Sequence, residues 1–127
     1  MCQCKTPPIG FRKDRRVLRE AYRFTEAWRA ESPGSRPYVR VNFLARRPKV
    51  FIDDFHFHID AKPLADAVGR YRLIPCVREL LRKTTEPPKA TADGNLMLDG
   101  ITPDGTRFRV IIRPEKDGGV LQSFYPL

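Results

Sequence analysis

His56 and His58 are the only histidines in the chain, and a single residue, Phe57, separates them. Histidine is the side chain whose ordinary pKa lies nearest neutrality, so two on one face could move protons both ways without a metal. Residues 50–59 read as strand, broken near Asp53 and Asp54, with Phe55, Phe57 and Ile59 turned one way and His56, His58 and Asp60 the other. The plainer reading of the same alternation is the polar outer face of an edge strand. Downstream, Phe108, Val110 and Ile112 point to a core while Arg107, Arg109, Ile111 and Arg113 line the opposite face. On the final strand Leu121, Ser123 and Tyr125 share one side, and Gln122 and Phe124 the other. Histidine, arginine and the hydroxyls of Thr106, Ser123 and Tyr125 together suit cleavage of RNA by its own 2′-hydroxyl. A histidine takes the 2′-proton, an arginine stabilises charge at phosphorus, and a second acid protonates the leaving 5′-oxygen. The candidate catalytic residues are His56, His58, Arg109, Ser123 and Tyr125. For Arg109 the alternative is an ion pair across the hairpin, and for Tyr125 a half-buried closing position.

Other chemistries fit less well. Cys2, Cys4, His56 and His58 give a Cys2His2 count, but each pair is separated by one residue, whereas structural zinc sites use two to four between cysteines and three to five between histidines. Asp53, Asp54 and Asp60 read more simply as turn and cap residues than as magnesium ligands. No metal and no cofactor is therefore expected. The third cysteine, Cys76, follows Pro75 in an apolar context and reads as a buried thiol. An odd number of cysteines argues against a disulfide framework. Glycine-rich phosphate loops, nucleophile elbows and dinucleotide fingerprints are absent from the sequence, which removes kinase, hydrolase-fold and Rossmann readings.

Charge points to an anionic partner. The net charge is +9, from 24 Lys and Arg against 15 Asp and Glu, and the excess lies entirely within residues 1–52. Arginine predominates among the basic residues, and its planar fork suits bidentate phosphate contact. Residues 12–30 form an amphipathic helix with Val17, Ala21, Phe24 and Trp28 as its apolar stripe. Arg12, Lys13, Arg15, Arg16, Arg19, Arg23 and Arg29 populate its other face. The nucleic-acid-binding candidates are Arg12, Arg15, Arg16, Arg19, Arg23, Arg107 and Arg113. A solvated helix that meets an acidic protein partner is the alternative. A membrane is not expected as partner, because Glu20, Glu26 and Glu31 interrupt the basic face and no apolar run approaches about 18 residues. Without a signal-peptide apolar core at residues 1–11, a cytoplasmic location is expected.

The elements that must hold these residues follow from periodicity. Pro7, Pro8 and Gly10 predict a mobile start over residues 1–11. A half-buried strand follows near residues 38–43. Asp60 and Pro63 open a helix whose apolar side is Leu64, Ala67, Val68 and Tyr71, and a second short helix runs over residues 75–83. Residues 96–102, 107–113 and 120–125 are three strands joined by Pro103-Asp104-Gly105 and by Glu115-Lys116-Asp117-Gly118-Gly119. The expected class is α+β: one domain over residues 1–127, with an N-terminal helix and one or two short helices packed on a twisted antiparallel sheet that ends in a three-strand meander.

The order of Phe55-His56-Phe57-His58-Ile59, a helix, an Ile74-Pro75 helix, a Pro-containing loop and a meander ending Ser123-Phe124-Tyr125-Pro126 resembles the barnase, EndoU, colicin and RelE group of nucleases. The likeness is to the small toxin-domain and phage variants, and it covers residues 50–127. It implies an active site on the open face of the sheet, with His56 or His58 as acid or base. It also implies Arg107 or Arg109 as phosphate clamp and Ser123 or Tyr125 as hydroxyl partner. The activity so implied is a metal-independent endoribonuclease of toxin or effector type, acting on tRNA or another cellular RNA. Its partner would be an acidic immunity or antitoxin protein. The barnase-type glutamate base has no counterpart here. The competing reading is a non-enzymatic, basic nucleic-acid-binding or host-inhibiting phage-type module in which the histidines are bystanders.

Overall fold

The computed structural model describes residues 1–32 and 34–127; Pro33, which with Ser32 and Gly34 is expected from the sequence to stop the helix of residues 12–30, lies outside them. The chain runs β1 (Cys2–Gln3), α1 (Asp14–Arg29), β2 (Tyr38–Arg40), β3 (Lys49–Phe51), α2 (Phe55–Asp60), α3 (Leu64–Tyr71), α4 (Ile74–Lys83), β4 (Lys89–Ala90), β5 (Leu96–Ile101), β6 (Arg107–Glu115) and β7 (Gly118–Pro126). One sheet has the order β1-β5-β6-β7-β3-β2, with β4 also pairing β5. The class is α+β with helices packed on a sheet, and β5, β6 and β7 form the antiparallel meander. The sheet is mixed rather than purely antiparallel, because β3 joins β7 in parallel and β1 joins β5 in parallel. No helix among the described residues is long and apolar enough to cross a membrane.

One apolar core underlies all of this. Val17, Ala21 and Trp28 of α1, Phe55 and Ile59 of α2, Tyr71 of α3 and Val77, Leu80 and Leu81 of α4 pack against Phe108, Val110, Ile112, Leu121 and Phe124. Each large side chain so buried is worth about 1.5–3 kcal/mol. The meander is close-fitting: a β-carbon on Gly100 would stand 2.5 Å from Phe108 Cζ and 2.8 Å from Leu80 Cδ1. At the tight turn between β6 and β7, Gly118 has φ +135° and faces the Lys49 carbonyl, where a β-carbon would lie 2.3 Å away.

Three expectations are corrected. Residues 1–11 are tied down rather than free. Cys2 and Gln3 pair with Gly100 and Ile101, Cys4 and Ile9 are buried, and the backbone amides of Lys5 and Thr6 donate to the Glu79 carboxylate at 2.8 and 2.7 Å. The histidine segment is a helix and not a strand. Its apolar residues alternate, which satisfies a strand pattern, but Phe55 and Ile59 also satisfy a helix as an i, i+4 pair. Burial decides between them: Phe55 and Ile59 are fully enclosed, while Phe57 is 69% exposed. The strand had already ended at Phe51. Asp60, expected to cap the next helix, instead closes α2, where its Oδ1 accepts from Tyr71 Oη at 2.6 Å and Tyr22 Oη at 3.2 Å.

Candidate active site

A helix separates residues two apart by about 200°, so His56 and His58 face different surroundings. His56 turns towards α1, where its Nδ1 accepts from Arg29 Nη2 at 2.9 Å and its ring lies 4.1 Å from that of Phe57, centroid to centroid. Arg29 also donates through Nε to the Ile52 carbonyl at 2.7 Å. Burial lowers the pKa of this guanidinium. His58 is exposed and borders a cleft of about 450 Å³.

Strand β7 builds the wall of that cleft through an irregularity. Ile111 pairs with Ser123 and Ile112 with Leu121, so Gln122 is an extra residue on β7, a β-bulge. Strict alternation would set Leu121 and Ser123 on one face and bury Gln122. The bulge lets Leu121 enter the core fully while Gln122, Ser123 and Tyr125 all line the cleft. The expected grouping of Leu121 with Ser123 and Tyr125, and of Gln122 with Phe124, is corrected accordingly.

The cation at the centre is one the sequence reading did not select. Arg70 of α3 donates through Nε to Asp66 Oδ1 at 2.8 Å and through Nη1 to Ser123 Oγ at 2.8 Å. Its guanidinium carbon lies 5.3 Å from the centroid of the Tyr125 ring. Among the described residues Nη2 has no protein acceptor, so one edge of the guanidinium keeps its donors for a ligand. The Arg70 side chain is only 15% exposed, and its direction is fixed from three sides. Lys62, just past α2, and the turn carrying Thr91, Asp93 and Asn95 complete the rim. The only sequence sign of Arg70 is Asp66 four residues before it, a spacing that many surface helix pairs share.

The other candidates are dispersed. Arg109 faces Asp99 across β5 and β6 and forms a bidentate pair with it at 2.8 and 3.0 Å. The guanidinium holds the Asp99 carboxyl below its ordinary pKa, and the carboxylate holds Arg109 firmly charged. Arg109 therefore realises the cross-hairpin alternative; it stands opposite Tyr125, beside the cleft. Arg113 pairs with Asp54 at 3.5 Å and Glu115 at 3.6 Å, and Arg107 is exposed on the same strand. Arg12, Arg15, Arg16, Arg19 and Arg23 are exposed around α1, where only Arg23 has a carboxylate nearby, Glu20 at 3.8 Å. Arg29 leaves this face for the His56 contact. The Cys2His2 set is not assembled: Cys2 lies on β1 at one edge of the sheet, while the histidines lie on α2, which packs against β7. Cys4 and Cys76 are buried free thiols, and burial pushes Cys76 up to about 12.

The cleft thus joins one histidine, two cations, three hydroxyls, two amides and one carboxylate. Comparison with protein-family models, with curated proteins and with solved structures gives no match.

Proposed function

We propose that the protein is a metal-independent endoribonuclease acting at the cleft between α2, α3 and β7. The observation that carries this reading is the convergence of His58, Lys62, Arg70, Ser123 and Tyr125 on one open volume. Asp93 is the cleft's single carboxylate, and one carboxylate does not make the oxygen cage a divalent cation needs. In the proposed reaction His58 accepts the 2′-proton as O2′ bonds to phosphorus. The P–O5′ bond breaks, and O5′ takes a proton from Tyr125, whose remaining charge falls beside Arg109. Arg70 donates to a non-bridging phosphoryl oxygen as negative charge builds there, and Ser123 holds Arg70 in place. The products are a 2′,3′-cyclic phosphate and a 5′-hydroxyl end. The exposed arginines of α1 would hold the flanking RNA backbone, tRNA included, without reading its sequence.

Incubation of the protein, and of His58→Ala and Arg70→Ala variants, with total RNA in excess EDTA tests this. Cyclic-phosphate ends are expected from the wild type alone. Intact RNA in every sample, with RNA binding retained, overturns catalysis in favour of a non-enzymatic binding module. Cleavage that EDTA abolishes overturns the metal-free mechanism.

A further inference from the structure

On the side of the molecule where α1 meets α4, away from the cleft, runs a furrow in three connected depressions. The first, about 270 Å³, is bordered by Trp28, Tyr38, Arg40, Arg78 and Arg82. The second lies over Phe24, Ala27 and Trp28. The third continues along Phe24, Arg82 and Lys83 to Pro75. None of these residues lines the cleft. The floor is apolar, with Phe24 and Trp28 in edge contact at 6.3 Å. The rim is cationic. Arg78 is fixed by Glu31, with Nε to Oε1 at 2.9 Å, and Lys83 lies 3.8 Å from Glu79. Arg40 and Arg82 are exposed, and neither has a carboxylate within ion-pair distance among the described residues.

We propose that this furrow docks an acidic, extended segment of a protein partner, with an apolar side chain over Phe24 and Ala27 and carboxylates on Arg40 and Arg82. Charge complementarity names the occupant: the two uncommitted guanidiniums flank an apolar strip, and each has the fork that matches a carboxylate. A nucleic-acid strand fits less well. Base stacking needs an open ring face, and Trp28 is 3% exposed. The docking surface stands whether or not the cleft cleaves RNA.

Selection of a random dodecapeptide display library on the full-length protein, with an Arg40→Glu/Arg82→Glu variant as counter-target, tests the proposal. Both side chains are exposed, so the variant is expected to keep the fold, which circular dichroism checks. Peptides enriched in Asp and Glu are expected. Synthesised, they should perturb the fluorescence of Trp28, the only tryptophan, and bind the variant at least tenfold more weakly. No enrichment, enrichment without acidic residues, or acidic peptides that bind both proteins equally would each overturn it. A Trp28 response to single-stranded RNA that the same variant abolishes, with none to the peptides, would reassign the furrow to nucleic acid.

Discussion

Arg70 Nη1 donates to Ser123 Oγ at 2.8 Å across the gap between α3 and β7. This bond ties a helical cation to a strand hydroxyl 53 residues away, and in the proposed reaction it gives Ser123 the role of positioning Arg70 rather than that of a nucleophile. Truncating Arg70 to Ala is expected to lower cleavage by about 10²–10³-fold, the usual cost of removing a donor to developing oxyanion charge. Arg70→Lys should recover only part of the loss, because an ammonium cannot serve Asp66, Ser123 and a phosphate in one plane. Ser123→Ala should lower the rate less and leave KM nearly unchanged. Steady-state cleavage of a labelled RNA, with circular dichroism to verify folding, reads all three.

The two histidines should separate cleanly. His58→Ala removes the proposed base, for a loss of about 10²–10⁴-fold. His56→Ala leaves the cleft intact but strips Arg29, a partly buried guanidinium, of one acceptor, and the expected cost is about 1–2 kcal/mol of folding stability. Urea denaturation and the cleavage assay should therefore rank the variants in opposite order. Equal loss of activity in both would place the chemistry elsewhere on α2.

Much of the scaffold is legible in the sequence because its signals are local. The α1 stripe, the α4 span and the meander with its turns follow from periodicity and turn residues, and the structure has them within a few residues. The candidate site was harder to read for two physical reasons. Phe55-His56-Phe57-His58-Ile59 satisfies both periods, and only the burial of Phe55 with Phe124, centroids 5.6 Å apart, selects the helix. Arg70 and Gln122 owe their roles to tertiary placement, one to helix packing and the other to a bulge, and neither leaves a mark within its own segment.

The bulge itself is testable by deletion. Removing Gln122 would let Ile111 and Ile112 pair with Ser123 and Leu121 in an unbroken ladder, leaving Leu121 inside and Ser123 and Tyr125 outside. The deletion is expected to keep the fold with a stability change of about 1 kcal/mol, a few degrees in Tm. Deleting Phe124 instead shifts one end of β7 to the opposite face and removes a core aromatic, at a cost of at least about 3 kcal/mol. A Gln122 deletion as harmful as the Phe124 deletion would show that the register is held by something other than side-chain burial.

Glu79 makes stability depend on acid. Burial alone would raise its pKa, but hydrogen bonds from Thr6 Oγ1 and the Lys5 and Thr6 amides outweigh this and hold it below the ordinary 4.5. A lowered folded pKa stabilises fully above about pH 4.5 and loses that contribution as pH falls through the folded value. Glu79→Gln should cost about 1–3 kcal/mol at pH 7. It should also flatten the decline of the urea midpoint between pH 5 and pH 3. Amide exchange at Lys5 and Thr6 should rise in the same variant, since these donors lose their charged acceptor.

The arginines of α1 make the last prediction, which concerns affinity rather than rate. Arg15, Arg16 and Arg19 are exposed and have no carboxylate within ion-pair distance among the described residues, so each is available to a phosphate. Each contact to single-stranded RNA releases counterions and adds about 0.7 to the slope of log K against log salt. The Arg15→Ala/Arg16→Ala/Arg19→Ala variant should therefore bind with a slope shallower by about 2, while its cleavage of a dinucleotide too short to reach α1 stays at the wild-type rate. Fluorescence anisotropy across a salt series measures the slope. An unchanged slope removes α1 from the RNA footprint and leaves its charge to another partner.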